Sequence, residues 1–333
     1  QFEKLYRKRV LSNAVGIALA KLGNYHEALK AFLISVEIAL LASSWSYLSS
    51  YLTNTASTFS NQNRLVKAKT TNTLALDLAL YAVKQEHSNI PISKQEDIFI
   101  TKLSCFEDLS NMGYWLEAEA LWKEIDSMGR DWDRAIYRPG DAEHSYAQLL
   151  FWQGKLDEES LTLAEKLARD GKNRNVIRYL HNLRGEWHLE QGQWALAADS
   201  FQEAVRMIRE VGRRDEESEA FLALSQFHLE QLPDPRQVAE KLANPKDLSA
   251  HCPLAELWLA ISDHKQATHH ALAAYQWAWA DGEPYVRHYE LDKARALLEQ
   301  LNVEIPDLPP YDPAKEEIYP WEEKVAAAIE ELK

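Results

Sequence analysis

Small and aromatic residues recur at helical spacing over most of the chain, and the clearest example is the stretch 185–204, GEWHLEQGQWALAADSFQEA. Ala197, Phe201 and Ala204 fall on one stripe of a helix, because neighbours on a helical face recur every three or four residues. Gly192 precedes them, and glycine readily adopts the positive φ at which a helix ends. The stretch therefore predicts two helices joined by a tight turn.

Weaker copies of this stretch recur along the chain. Their turns centre on positions 23, 63, 113, 154, 192, 232 and 262, so successive copies are 40, 50, 41, 38, 40 and 30 residues apart. In the fifth copy, Gly185 lies where the two helices would cross closely. Each unit has an apolar face that a neighbouring unit must bury, so the pattern predicts an all-α chain of stacked helical pairs.

The second copy departs most from the pattern in its first helix, which is rich in hydroxyl side chains: Ser49, Ser50, Thr53, Ser57 and Ser60. Such residues favour helix caps and turns over helix interiors. We therefore expect tertiary packing, rather than intrinsic propensity, to stabilise this helix.

The order of residues in the copies resembles the tetratricopeptide repeat (TPR): a small residue, a turn with glycine, an aromatic residue, then alanine, an aromatic residue and alanine. The resemblance implies an α-solenoid, a right-handed superhelix of about seven TPR-like repeats. The family's period is about 34 residues, whereas the commonest step here is about 40, so we expect a divergent array with longer helices. Armadillo and HEAT repeats have periods near this value. They do not account for the recurring turns and are the second interpretation.

The pattern changes beyond the last copy. Residues 290–301 predict a closing helix, and five prolines between positions 306 and 320 then exclude a continuous helix. Residues 322–333 predict a short final helix, which we expect to pack back on the array and shield the last repeat. This divides the chain into a repeat array, residues 1–301, and a proline-rich linker with a C-terminal capping helix, residues 302–333.

Residues 273–313, AAYQWAWADGEPYVRHYELDKARALLEQLNVEIPDLPPYDP, resemble the C-terminal end of repeat regions in bacterial signal-transducing ATPases with numerous domains (STAND regulators). In these regulators a nucleotide-switch module precedes a repeat sensor. The chain opens on Gln1 without an initiator methionine, and we expect it to be a piece of a longer polypeptide. The resemblance implies a sensor that controls an upstream ATPase or effector domain. No GxxxxGK[ST] loop occurs, so we expect no ATP binding by that route.

Composition and charge narrow the partners. The formal net charge of −14 argues against nucleic acid and anionic membranes as partners. The sequence has no signal peptide and no apolar run of about 18 residues, the length needed to span a bilayer. Cys105 and Cys252 stand in no disulfide, metal or redox spacing, which favours the reducing cytoplasm.

The sequence carries no motif of a catalytic or cofactor site. It has no nucleophile elbow, no paired Cys/His motif and no glycine-rich phosphate loop, and its carboxylates show no spacing of an acid–base pair. Asp263, His264, His269 and His270 come nearest to a metal cluster, but residues five or six apart diverge on a helix, unlike the i, i+4 pair of a zinc helix. We interpret the histidines as surface residues and predict a protein that is not an enzyme and holds no cofactor or metal.

The TPR resemblance implies a ligand groove, since first helices of successive repeats line a concave face in that family. The repeat register puts eight candidate partner-binding residues on or beside this face: Asn182, Arg178, Glu186, His144, Gln148, Trp152, Tyr179 and Asn13. A carboxamide at Asn182 can hydrogen-bond both polar groups of a peptide backbone. Arg178 can bond an acidic side chain or terminus, and Trp152 falls near the groove edge, where it could anchor a partner.

These patterns favour a non-catalytic module that binds a protein or peptide in the groove. The paired lysine and asparagine positions with which the family binds a peptide carboxylate are not reproduced, which argues against a C-terminal peptide held in that way. Two further hypotheses stay open. The solenoid could be an oligomerisation scaffold, or it could sense a small molecule inside the superhelix.

Overall fold

The computed structural model describes residues 2–84, 92–130 and 139–333, and this part of the chain is all-α. Its sixteen α-helices are α1 (Phe2–Lys21), α2 (Tyr25–Leu41), α3 (Trp45–Asn61), α4 (Leu65–Lys84), α5 (Ile92–Asn111), α6 (Trp115–Arg130), α7 (Asp141–Trp152), α8 (Glu158–Asp170), α9 (Arg174–Glu190), α10 (Trp194–Glu210), α11 (Glu216–His228), α12 (Pro235–Leu242), α13 (His251–Ala260), α14 (His264–Trp279), α15 (His288–Gln300) and α16 (Pro320–Leu332). Helices α1 to α14 form seven consecutive pairs, so the predicted α-solenoid class is confirmed.

The turns inside the pairs confirm most of the predicted positions. Each contains a residue with positive φ: Gly23, Asn63, Gly113, Gly154, Gly192, Glu230 and Ser262. In the fifth pair the amide of Gly192 donates to the carbonyl of Leu189 at 2.9 Å, and the amide of Gln193 donates to that of His188 at 2.9 Å. These bonds satisfy carbonyls that the end of α9 would leave free. The sixth turn is displaced by two residues, from the predicted position 232 to Glu230.

The predicted close crossing at Gly185 is also confirmed. A Cβ atom placed on Gly185 would lie 2.7 Å from the ring of Phe201, which is inside van der Waals contact. The first pair repeats the arrangement, since a Cβ on Gly16 would lie 2.6 Å from the ring of Phe32. In both pairs the ring of the second helix occupies the space that any larger side chain would need.

Tertiary packing stabilises the hydroxyl-rich helix α3, as predicted. The hydroxyls of Thr53, Thr55 and Thr58 donate to carbonyls four residues earlier, at 3.1, 2.8 and 2.9 Å. Ser49 donates across to the carbonyl of Ala75 on α4 at 2.9 Å. The side chain of Phe59 and its apolar neighbours on α3 are fully buried. The hydroxyls of α3 therefore lie beside an apolar core, and these four each have a hydrogen-bond acceptor.

The described residues group into two compact units. Unit 1 comprises Gln1–Met128, Ala280–Val286 and Pro309–Lys333, and unit 2 comprises Gly129–Trp279 and Arg287–Leu308. No helix in the described part of the chain combines the length and hydropathy needed to cross a membrane.

The final helix α16 belongs to the core of unit 1. Trp321, Val325 and Ile329 pack with buried residues of α2, α3 and α4, among them Val36, Leu52, Phe59 and Leu78. Ion pairs reinforce this packing, because Nζ of Lys67 lies 2.8 Å from Glu316 and 2.9 Å from Glu322. The prediction that this helix shields the last repeat is wrong. Its apolar face instead completes the core of the first two repeats.

In unit 2 the first helices of the pairs contact one another in chain order. Helix α7 packs against α9, α9 against α11, and α11 against α13, while α15 packs against both α13 and α14. Phe151, Leu161, Leu180 and Leu183 form part of the core beneath α7, α8 and α9. The first helices thus form one layer, and α15 continues that layer beyond the seventh pair.

Candidate functional site

A cavity of about 150 Å³ lies among the first helices of unit 2. The side chains that line it come from α7 (Gln148, Trp152), α9 (Glu186), α11 (Glu217, Phe221), a short 3-10 helix at Leu248–Ala250 (Ser249), α13 (Cys252), α14 (Trp277) and α15 (Tyr289, Glu290, Lys293). Spacing along each helix explains the arrangement, because residues three or four apart share a helical face. Gln148 and Trp152 are four apart, as are Glu217 and Phe221. Each helix therefore presents one face to the same space.

Aromatic rings form one side of the cavity, around Tyr289. The Tyr289 ring centroid lies 5.5 Å from that of Phe151 and 6.0 Å from that of Trp152. Its hydroxyl donates to Oε1 of Glu190 at 2.6 Å. The ammonium of Lys293 lies 5.5 Å from the Tyr289 centroid and 5.7 Å from that of Phe221, within range of a cation–π interaction.

Three carboxyl groups line the cavity in a desolvated environment. Burial raises the pKa of Glu186 to about 7, against the pull of the nearby Lys293 cation. Burial also raises the pKa of Glu217 well above its usual range, and negative charges at Glu186, Asp247 and Asp215 act in the same direction. The pKa of Glu290 is raised by burial as well. Loss of water disfavours the charged form of each acid.

Lys293 stays charged among these acids. Burial alone would lower the pKa of its ammonium, but the surrounding groups, Tyr289, Glu256, Cys252 and Glu186, hold that pKa well above its usual value. Burial raises the pKa of the neighbouring Cys252 thiol to about 12. The cavity thus combines aromatic faces, one fixed cation and three acids whose proton affinity is elevated.

Of the residues predicted from sequence, the structure brings Gln148, Trp152 and Glu186 together in this cavity. Arg178 and Asn182 form a second cluster with Asp215, the residue before α11. Nη1 of Arg178 lies 2.5 Å from Oδ2 of Asp215, and Nδ2 of Asn182 donates to the same oxygen at 3.5 Å.

Both polar atoms of the Asn182 carboxamide bond to the next repeat. Nδ2 donates to Asp215, and Oδ1 accepts from the Ser218 hydroxyl at 2.8 Å. Asp215 in turn caps α11 by accepting from the amide of Ser218 at 3.1 Å. The cluster therefore holds the start of the helix that carries Glu217 and Phe221.

Two more predicted residues, His144 and Tyr179, lie beside Arg178. The Arg178 guanidinium lies 4.2 Å from the Tyr179 ring centroid, and the His144 ring is 5.6 Å from that of Tyr179. Burial, followed by the Arg178 charge, lowers the pKa of His144 to about 4, so this imidazole is neutral at physiological pH. Tyr179 is 44% exposed. The last predicted residue, Asn13, lies in unit 1, where its Oδ1 accepts from Nδ2 of Asn54 at 3.1 Å.

Most of the cavity was not found from sequence. The residues missed are Glu217, Phe221, Ser249, Cys252, Trp277, Tyr289, Glu290 and Lys293. Helix α11 belongs to the copy whose turn was misplaced, and α15 lies outside the seven copies. The spacing of Tyr289, Glu290 and Lys293 indicates one helical face, but no local pattern tells what that face contacts.

The interpretation of the histidines near α14 as surface residues is wrong for one of the three. His264 and His269 are exposed, but His270 is fully buried, with its Nδ1 2.8 Å from Nδ1 of His251. Burial lowers the pKa of His270 to about 4. Packing of α13 on α14 encloses this side chain. Within the described ranges, no group of three or more His, Cys, Asp or Glu residues is arranged to hold a metal ion.

Comparison with known proteins adds evidence on the fold. No family model matches the sequence, and no curated protein does. The structure of the Rap conjugation gene regulator of the plasmid pLS20, in complex with the Phr* peptide, is similar, with a TM-score of 0.52 and 16% identity over 90% of this chain and 76% of that chain. This similarity supports an all-α fold of helical repeats. A tetratricopeptide repeat protein from Parabacteroides merdae ATCC 43184 gives a TM-score of 0.40 and 13% identity, covering 87% of this chain and 99% of that one.

Proposed function

We propose that this chain is a non-catalytic TPR-like module that binds a protein or peptide, and that the cavity of unit 2 receives a side chain or terminus of that partner. The cavity itself carries the proposal. It lies among the first helices, where the sequence register expected a groove, and it combines aromatic walls with a few polar groups, as binding sites commonly do.

The size of the cavity favours part of a larger partner over a complete small molecule. Pockets for drug-sized ligands measure about 300–1,000 Å³, whereas this cavity measures about 150 Å³. A peptide could insert one group here and lie along the helices with the rest of its length. The similar Rap regulator was solved with a peptide, which supports this class of partner.

We propose the sensor region of a larger bacterial, cytoplasmic regulator of the STAND type as the context. The supporting observation joins sequence and structure. The segment 273–313 that resembles STAND repeat regions contributes Trp277, Tyr289, Glu290 and Lys293 to the cavity. A partner bound at the cavity would therefore contact the segment 273–313, which carries the STAND resemblance.

The remaining predicted residues have a place in this proposal. Arg178 and Asn182 position the start of α11 through Asp215, and exposed Tyr179 extends the partner surface beside them. Asn13, which lies in unit 1, is proposed as a separate contact.

The decisive test fills the cavity and compares peptide capture. Gln148→Trp places a large side chain at the cavity wall, while Leu163→Trp adds the same side chain on α8, at a residue that is 50% exposed and does not line the cavity. Peptides selected on the wild-type chain from a random display library should lose binding to Gln148→Trp and keep binding to Leu163→Trp. Equal binding to both variants would contradict the proposal. Light scattering across a concentration series tests the scaffold alternative, which predicts a mass that rises with concentration.

A further inference from the structure

Negative charge exceeds positive charge around the cavity. Three carboxyl groups and one ammonium line it, those of Glu186, Glu217, Glu290 and Lys293. Four more acids, Glu190, Glu256, Asp247 and Asp215, act on these groups from nearby. Arg287 and His288 act on Glu290, and Arg178 pairs with Asp215. Seven carboxyl groups thus face three fixed cations, Lys293, Arg287 and Arg178, and one histidine.

The Ser249 side chain hydrogen-bonds Glu217, but no fixed cation is among the groups that act most strongly on it. Its strongest charged neighbours are all acids, and Asp215 among them already pairs with Arg178. Lys293 forms no ion pair with any described carboxylate, and its ammonium lies between the rings of Phe221 and Tyr289. The Arg287 guanidinium lies over the Trp277 ring at 4.9 Å. Both cations are thus held against aromatic faces.

A second observation concerns the hydrogen bonding of Glu290. Oε2 of Glu290 is buried without a hydrogen-bond partner in the described part of the chain. A buried carboxylate oxygen normally accepts a bond, because its desolvation is otherwise uncompensated. An ammonium or guanidinium group supplies several N–H donors, and its alkyl stem can lie against aromatic walls.

We propose that the cavity binds an organic cation, an alkyl chain that ends in an ammonium or guanidinium group, with Glu186, Glu217 and Glu290 as its acceptors. The inference rests on the proposed function where a basic side chain of a peptide supplies the cation. A free amine such as spermidine supplies the same chemistry. An anionic ligand bound to Lys293 is disfavoured, because it would also face three carboxyl groups.

The first test titrates the full chain with spermidine and with the peptide Ac-Ala-Ala-Lys-Ala-Ala-NH2 in a calorimeter at pH 8, where Glu186 is largely ionised. The same peptide with norleucine in place of lysine keeps the alkyl stem and removes the charge. We expect at least one cation to bind, and the norleucine peptide to bind at least about tenfold more weakly than the lysine peptide if the latter is the ligand. Absence of binding by both cations up to about 10 mM would overturn the proposal.

Variants then locate the bound cation. Glu186→Gln and Glu217→Gln should each lower the affinity for the cation by at least about tenfold. Glu299→Gln removes an exposed carboxylate from α15 and should bind the cation as the wild type does. Lys293→Met removes a like charge and should strengthen cation binding. Loss of cation binding in that variant would contradict the proposal, because the only charge removed is one that repels the ligand. Circular dichroism and thermal melting confirm that each variant is folded.

The outcomes separate this inference from the proposed function. If selected neutral peptides bind and Gln148→Trp removes them, while no cation binds, the module function stands and the organic-cation inference is overturned. If spermidine binds through Glu217 and no peptide is captured, the inference stands for a free amine and the peptide function fails. Binding of spermidine that Glu299→Gln weakens as much as Glu217→Gln would show attraction to the acidic surface alone and would overturn the inference.

Discussion

Replacing Glu186 by glutamine should change the pH dependence of stability. Burial raises the pKa of this carboxyl from 4.5 to about 7, and acids at Glu190, Glu256 and Glu290 add to the shift while Lys293 opposes it. The folded protein therefore binds more protons than the unfolded chain between these pH values. Its free energy of unfolding falls as the pH rises through them. Glutamine keeps the size of the side chain and cannot ionise.

The size of the effect follows from the shift. A tenfold change in proton affinity is worth about 1.4 kcal/mol, so a shift from 4.5 to about 7 costs the wild type about 3 kcal/mol between pH 4.5 and pH 8. Glu186→Gln avoids this cost. The free energy of unfolding of the variant minus that of the wild type should therefore increase by up to about 3 kcal/mol from pH 4.5 to pH 8. Glu217 titrates in both proteins, and without a charge at Glu186 its own ionisation becomes easier.

Urea unfolding followed by circular dichroism, at closely spaced pH values from 4.5 to 8, measures this difference. The exposed residue Glu299 provides the matched control, because Glu299→Gln makes the same chemical change on α15 away from the cavity. A stability difference between wild type and Glu186→Gln that is constant across this pH range would refute the reasoning. So would a difference that grows toward low pH.

Two further predictions concern packing. Gly185→Val should destabilise unit 2 by about 1–3 kcal/mol, because its Cβ would meet the Phe201 ring at 2.7 Å. Chemical denaturation should show that the same substitution lowers the free energy of unfolding less in a Phe201→Leu background. An equal loss in both backgrounds would contradict the steric explanation. Lys67→Met should destabilise unit 1 by about 2–3 kcal/mol and speed proteolytic release of the C-terminal segment, since it removes the partner of Glu316 and Glu322. Lys315→Met, an exposed lysine of the same segment, should leave the rate near that of wild type.

Local features of the fold could be predicted from the sequence with good accuracy. The turn at Gly192 and the crossing at Gly185 both depend on residues within one helical pair, where spacing along the chain sets spacing in space. The same holds for the six turns found at their predicted positions. The exception is the sixth turn in chain order, where the residue of positive φ is Glu230 and not position 232.

The candidate site was predicted only in part. Gln148, Trp152 and Glu186 follow from the repeat register and do line the cavity. Lys293 and Glu217 acquire their place from the packing of α15 and α11 in the layer of first helices, a contact between segments distant in sequence. Asn182 shows the opposite case, since its carboxamide was assigned to a partner and is bonded by Ser218 of the next repeat.

The division between the two levels has a physical cause. Periodicity, turn chemistry and a small residue opposite a ring act over about one helical pair, and sequence spacing alone specifies them. Which faces meet across the chain depends on burial and charge summed over many residues. That sum places α16 in the core of unit 1 beside Lys67 and encloses His270 between α13 and α14. It also gathers three acids and one ammonium around a cavity that no single stretch of the sequence contains.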